Sequence, residues 1–317
     1  MPVRFSLMLE DQEGVTWDQW LAIARACERF GFEGLFASDH YLSLVPRPGS
    51  HDSWTLLGAL AVATERLRLG TMVSPVTFRL PAVLAKAATT VDIVSAGRVE
   101  LGIGAGWWEE EHRTHGVPFP PVGVRFEMLE EQLEIIHSLW STDVVSFQGR
   151  HYALEGCRFV PKPVQSPHPP IVLGGKGGPR IARLVARWAD EFNRVGGTPA
   201  EVGEAFGRVR DAVDAAGRDQ SGVTTSFMTW VFVGDSERAW KARVEQARRM
   251  DSSAGPFEDY LADIARDCIV GTPEDAVERM NAYVAAGVQR FVLNHELFDD
   301  LDQIELLATR ILPKVGA

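Results

Sequence analysis

Short, nearly continuous apolar runs alternate with segments of helical periodicity along almost the whole chain, about eight times over. Residues 3–9 form the first such run. Thr16-Trp17-Asp18-Gln19 then reads as a capping box, in which the Thr16 and Gln19 side chains satisfy backbone N–H groups left open at a helix start. Trp17, Trp20, Leu21, Ala24 and Cys27 follow on one face, and Gly31 supplies a residue tolerant of positive φ at the exit. The pattern recurs with strands over 34–38, 67–73 and 99–105 and helices over 54–64 and 82–94. A longer helix then buries Phe126, Leu129, Leu133, Ile136 and Trp140. It resumes with a strand at 171–173, a helix at 179–188 and a short strand at 191–193. A helix opened by Thr198-Pro199-Ala200-Glu201 and a strand at 224–233 come next. Thr272-Pro273-Glu274-Asp275 opens another helix, with Val277, Met280 and Val284 inside and Gly287 at its end. A strand at 290–294 and a last helix to about residue 312 close the series.

Apolar strands joined by amphipathic helices are what a parallel sheet covered by helices requires. No linker or low-complexity stretch divides the units. The expectation is therefore α/β, a single (β/α)8 TIM barrel over residues 1–317 rather than a doubly wound sheet, with insertions at 144–170 and 236–268.

Charge and cysteine usage narrow the function classes. Forty-three acidic against 32 basic residues give a net charge of −11, without the basic footprint of a nucleic-acid binder. The three cysteines, Cys27, Cys157 and Cys268, show no metal or disulfide spacing, which fits a reducing cytoplasm and predicts no metal centre. Glu10 and Asp11 directly after the first strand are unlike a signal peptide, and the longest apolar run, near 56–63, is far short of the roughly 20 residues that span a bilayer.

In such a barrel the chemistry gathers at the C-terminal ends of the strands. Strand two ends in Ser38-Asp39-His40, an imidazole able to carry a proton near neutrality beside an acid able to set its tautomer; a helix cap next to a partly buried histidine is the structural alternative. Strand three ends in Gly70-Thr71-Met72-Val73-Ser74-Pro75, where Thr and Pro also suit a simple turn. Strand four ends in Gly102-Ile103-Gly104-Ala105-Gly106-Trp107-Trp108. Its glycine spacing is not that of a dinucleotide fingerprint, leaving close approach of a flat ligand or tight strand–helix packing. Strand five runs into Gly174-Gly175-Lys176-Gly177-Gly178-Pro179 just before a helix. Glycine amides and the helix dipole there suit a phosphate, with Lys176, Arg180 and Arg183 nearby.

These motifs together resemble the bacterial luciferase-like oxidoreductases. The resemblance rests on Ser38-Asp39-His40, Leu69 to Val73 with Thr77-Phe78-Arg79, and Gly97 to Trp107. It extends through Arg125-Phe126, Phe147-x-Gly149-x-x-Tyr152, Pro161 to Gln165 and Gly174 to Gly178, so that it covers almost the whole chain. Within that superfamily the chain is most similar to the actinobacterial coenzyme F-420 (deazaflavin)-dependent oxidoreductases. The resemblance implies hydride transfer to or from a small organic substrate, with His40 as proton acceptor or donor and Asp39 beside it. It implies cofactor contacts from Asp39, His40, Thr71, Met72, Val73, Gly104, Gly106, Trp107, Gly174, Gly175, Lys176, Gly177 and Gly178, and a non-prolyl cis peptide at Met72–Val73. The sugar-phosphate dehydrogenases of the superfamily carry a catalytic glutamate where this chain has Trp107, with Glu109, Glu110 and Glu111 just beyond. A different substrate is therefore expected. The indoles would bound an apolar substrate space or, alternatively, pack under the first insertion. Two other readings stand beside this one: an FMN-dependent monooxygenase fed by a partner flavin reductase, and a non-enzymatic flavin- or deazaflavin-binding protein. A homodimer is the expected assembly, with no nucleic-acid or membrane partner.

Overall fold

The computed structural model describes residues 2–44, 49–251 and 253–316. Eight parallel strands close on themselves: β1 (Arg4–Leu9), β2 (Gly34–Ala37), β3 (Arg68–Thr71), β4 (Val99–Gly104), β5 (Ile171–Gly175), β6 (Glu191–Val195), β7 (Thr224–Val233) and β8 (Arg290–Asn294). Each pairs with the next, and β8 returns to β1 with Met8 opposite Asn294. This is a (β/α)8 barrel.

Its helices are α1 (Trp17–Phe30), α2 (Ser53–Ala63), α3 (Pro81–Val94), α4 (Glu109–Thr114), α5 (Val122–Ser141), α6 (Pro179–Trp188), α7 (Pro199–Ala215), α8 (Glu237–Met250), α9 (Phe257–Ala265), α10 (Pro273–Ala285) and α11 (Leu301–Leu306). The capping boxes at Thr16, Thr198 and Thr272 all form. The buried face of α1 is Trp20, Ile23, Ala24, Ala26 and Cys27, which leaves Trp17 in the first turn partly exposed. Met280 of α10 is buried as expected, yet Ala276 and Tyr283 share its buried face while Val277 and Val284 are only half-covered. After α11 the chain loosens into a π turn at Leu307–Ile311, just ahead of Pro313, which cannot donate to a helical ladder.

Strand three is shorter than its apolar run. The ladder stops at Thr71, the Met72–Val73 peptide is cis, and Ser74–Pro75 rejoins the sheet against Ile103 and Gly104. Residues 144–170 hold an antiparallel hairpin, Val144–Gln148 with Ala153–Arg158, followed by a loop. Residues 236–268 hold α8 and α9, which pack a small core of Phe232, Val244, Ala247 and Leu297 near the C-terminal end of the barrel.

Two packing regions fill the barrel interior. At the N-terminal end Arg290 is fully buried, donates to Glu100 Oε2 at 2.7 Å, Glu191 Oε2 at 3.1 Å and the Ser6 hydroxyl, and lies in ion-pair contact with Glu33 Oε2 at 3.0 Å. Burial opposes ionisation of Glu100, but Arg290 and Arg68 outweigh it and hold its carboxyl well below the ordinary carboxylate range. Above this ionic layer Met8, Phe36, Met72, Val172, Met228 and Val292 form an apolar plug, so the barrel is closed below and open only at the strand C-termini.

Candidate active site

A cavity of about 1060 Å³ occupies that open end. Met8, Met72, Val73, Asn193, Met228 and Trp230 come from the barrel strands and the loop after β3, Trp107 and Phe126 from β4–α5, and Met250 and Tyr260 from the α8–α9 insertion.

His40, just past β2, faces this cavity. Its Nδ1 lies 3.0 Å from both carboxylate oxygens of Glu111, a buried residue of α4 that also accepts from the backbone N–H of Tyr41 at 2.7 Å and of Leu42 at 3.4 Å. Burial alone would lower the basicity of His40; the hydrogen bond and charge of Glu111 outweigh it and raise its pKa above the ordinary histidine value. Burial likewise works against the Glu111 carboxylate, and His40 with the two amides wins, lowering its pKa. Nδ1 is thereby committed to Glu111, and Nε2 is the ring nitrogen left for chemistry in the cavity.

Asp39 is placed differently from the sequence expectation. Its carboxylate is fully buried behind the wall, where it accepts from the Ser74 hydroxyl and from both terminal nitrogens of Arg79, which in turn binds Asp52 and the Tyr41 hydroxyl. It neither lines the cavity nor touches the imidazole; the acid on His40 is Glu111. A charge-assisted bidentate pair with Arg79 is a stronger demand on that carboxylate than its neighbour in sequence.

Thr71 is also turned away, donating to the Gly102 carbonyl at 2.8 Å, whereas Met72 and Val73 line the cavity. The strand-four glycines serve this bulge. A Cβ at Gly102 would stand 1.8 Å from the Thr71 carbonyl oxygen, and one at Gly104 2.8 Å from a Val73 methyl; at Gly174 it would stand 3.0 Å from the other Val73 methyl. Gly106 turns the chain with φ +74° into the segment that carries Trp107 and Trp108. The two indoles stack at 5.5 Å, both meet the His40 ring edge-on at 5.8 Å, and Trp107 is 62% exposed at the mouth.

Gly174, Gly175, Lys176 and Gly178 line the far side of the cavity together with Pro179 and Arg180; Arg183 does not. Gly178 is the N-cap of α6 and offers no side-chain cap, so the amides of the first turn stay open to an anion. Gly177 faces the opposite way: with φ +73°, its Cβ position lies 2.7 Å from Ala205 Cβ of α7, and its carbonyl accepts from Arg208. Among the site residues that sequence reasoning missed are Glu111 and Asn193. The only signal for Glu111 was an acidic triplet, Glu109 to Glu111, with nothing to single out its third member. Among the described residues no group of three or more His, Cys, Asp or Glu side chains is arranged to hold a metal ion, and no helix is long and apolar enough to cross a membrane.

Residues 1–290 match the model of the luciferase-like monooxygenase family. The chain is 30% identical over 310 residues to an F420-dependent glucose-6-phosphate dehydrogenase of Amycolatopsis mediterranei, covering 92% of each. It is 27% identical to an FMNH(2)-dependent dimethylsulfone monooxygenase of Pseudomonas putida, over 92% of this chain and 86% of that one. The structure of an F420-dependent secondary alcohol dehydrogenase superposes over the full length of both chains with a TM-score of 0.84 at 23% identity, a likeness of fold.

Proposed function

We propose, since the chain belongs to the luciferase-like monooxygenase family, that it is a deazaflavin (coenzyme F-420)-dependent oxidoreductase acting on a small organic substrate, reducing an activated C=C or C=O bond or running the reverse oxidation. The carrying observation is the pairing of His40 with Glu111 in the cavity that also holds the open amides of α6.

The residues present fit such a cofactor. Lys176, Arg180, Gly178 and the first turn of α6 form an anion site for its phosphate in an otherwise acidic protein. Met72, Val73, Gly104 and Met228 offer an apolar bed for a flat ring, and Gly174 and Gly175 lie between the two. When bound, the deazaflavin supplies a two-electron hydride acceptor or donor at ring carbon 5. His40 Nε2 takes the proton from a substrate hydroxyl in the oxidative direction and returns it to a carbonyl oxygen in the reductive one, while Glu111 stabilises the imidazolium. Trp107, Phe126 and Tyr260 exclude water and present apolar surface to the substrate. Asp39 acts from behind, through the Arg79 network that fixes the loop carrying His40. The indole at position 107 stands where sugar-phosphate dehydrogenases place an acid, which argues for a substrate other than a sugar phosphate.

A second reading, an FMN-dependent monooxygenase with a separate reductase, is favoured by the 27% identical FMNH(2)-dependent relative. Titration with both cofactors, followed by a turnover screen with the one bound more tightly, tests the proposal. Preference for FMN would favour the second reading, and binding of a ring without turnover would favour a carrier protein.

The whole chain acts as one barrel domain in this reading, and its partner is a second copy. α2 carries no charged residue and exposes Thr55, Ala59 and Val62, the last by 77%, while α3, which packs against α2, exposes Val83 and Val94. An apolar helix pair of this kind is suited to a subunit contact. The three free cysteines, two of them buried, are in keeping with a reducing cytoplasm.

A further inference from the structure

Asn193 stands on β6 at the floor of the cavity and plays no part in the proton chemistry at His40. Side chains alternate along this strand: Phe192 packs outward into the shell of helices, while Glu191 and Asn193 point into the barrel. Asn193 is in register with Gly174 of β5, which leads into the anion loop, and with Ser226 of β7.

The side chain is fully buried, and only one end of its amide is satisfied. Nδ2 donates to the Ser226 hydroxyl at 2.8 Å, and that hydroxyl is in turn a donor with acceptors of its own at hand, the Phe192 carbonyl at 3.5 Å and the Glu191 carboxylate. Oδ1 has no partner among the described residues. Met8, Met72, Val195 and Met228, which line the same cavity, carry no side-chain donor that could satisfy it. A buried acceptor without a donor is costly, and such groups concentrate where a ligand completes them.

We infer that Asn193 Oδ1 is a cofactor-binding acceptor, taking a hydrogen bond from a hydroxyl of the sugar-alcohol chain that links the phosphate at the Gly178 end of the site to the ring over the barrel. The inference rests on the function proposed above. The register with Gly174 supports the hydroxyl over a ring N–H, because it places Asn193 beside the strand that carries the anion loop.

The test uses the full chain and two variants, Asn193→Leu and the pair Asn193→Leu/Ser226→Ala, which removes both ends of the existing hydrogen bond. Melting temperature is measured without ligand. Affinity is measured by fluorescence titration for coenzyme F-420 and for a ring-only analogue lacking the sugar-alcohol chain. Expected are an unchanged or higher melting temperature in the paired variant, affinity for F-420 reduced about five- to tenfold in both variants, and unchanged affinity for the ring-only analogue. A parallel loss for the ring-only analogue keeps Asn193 as a cofactor acceptor but overturns the hydroxyl assignment in favour of a ring N–H. Unchanged F-420 affinity, or a collapse of ligand-free stability in the paired variant with equal loss of every ligand, overturns the inference while leaving the proposed function standing. A wild-type protein that takes up neither F-420 nor FMN overturns both.

Discussion

Nδ1 of His40 sits 3.0 Å from each carboxylate oxygen of Glu111, across 71 residues of chain. The pair exists because Gly106 and the short α4 fold the segment after β4 back over the loop after β2, where Glu111 also collects the amides of Tyr41 and Leu42. A carboxylate so anchored holds the imidazole in one tautomer and favours its protonated form, which suits the proton-carrying role proposed for His40.

Glu111→Gln should therefore move the pH dependence. Without the carboxylate, the hydrogen bond and charge that chiefly offset burial are gone and the pKa of His40 falls. Substrate oxidation, which needs neutral His40, should then gain activity at lower pH than in the wild type, and reduction, which needs the imidazolium, should fade earlier as pH rises. The same pair carries a stability term. The raised His40 pKa stabilises the fold below the unfolded value of about 6.5, and this is lost as pH rises through the folded value; the lowered Glu111 pKa stabilises above the ordinary carboxylate range and is lost as pH falls through its folded value. The wild-type advantage over the Gln variant should be greatest between those limits. Profiles of kcat/KM in both directions, beside denaturant unfolding at several pH values, measure this. His40→Ala, which should cost roughly 100- to 10,000-fold in turnover, provides the floor; coincident wild-type and Gln profiles would remove Glu111 from any such role.

Gly178→Asp should weaken binding of the phosphorylated cofactor by at least about tenfold without loss of stability. Gly178 is an N-cap at φ −70°, ψ 167°, with open space around its Cβ position, so aspartate there is a favourable cap that places its own negative charge on the α6 amides. Gly177 would be a poor choice for this experiment, since any side chain there meets Ala205 and is strained at positive φ. Retained affinity in a stable Gly178→Asp protein would move the phosphate elsewhere.

Trp107→Ala should raise the KM for the substrate with little change in cofactor affinity or melting temperature. The indole is largely exposed and its main contact is the face of Trp108, so the alternative of packing under the hairpin insertion predicts a loss that this exposure does not support. Truncating a buried Trp costs about 3–5 kcal/mol, and a loss of that size here would show that Trp107 serves the core.

Arg290→Met should destabilise the fold by about 3–5 kcal/mol while sparing the geometry at the other end of the barrel. It would leave Glu191 with only the 4.0 Å contact to the partly exposed Arg4 and Glu100 with only Arg68. Urea unfolding measures the loss, and a change below about 1 kcal/mol would show that the layer is dispensable.

The barrel was legible in the sequence because hydrophobic periodicity and helix caps are local properties. The strand at 224–233, the helix at 179–188, the capping boxes at Thr16 and Thr198 and the helix start at Thr272 depend on residues within a turn or two of one another, and the structure reproduces them. Legible too was where to look: the residues after β2, β4 and β5 are brought to one cavity because a parallel barrel sends every strand C-terminus to the same end. Which side chains meet there was a tertiary matter. Asp39 and Glu111 are both acids within reach of His40, and the choice between them turns on Arg79, 40 residues beyond Asp39 and able to grip its carboxylate from behind. Gly177 and Gly178 are indistinguishable as letters, yet one is pressed against α7 and the other caps α6 over the cavity. Asn193 reads as one polar residue in a short strand, and only the closed barrel, with Ser226 on one side and thioethers around the cavity floor, leaves its oxygen unpaired. Periodicity specifies which face of an element is buried; the partner a buried polar atom finds depends on side chains brought within 3 Å by packing across dozens of residues, and no local pattern encodes that distance.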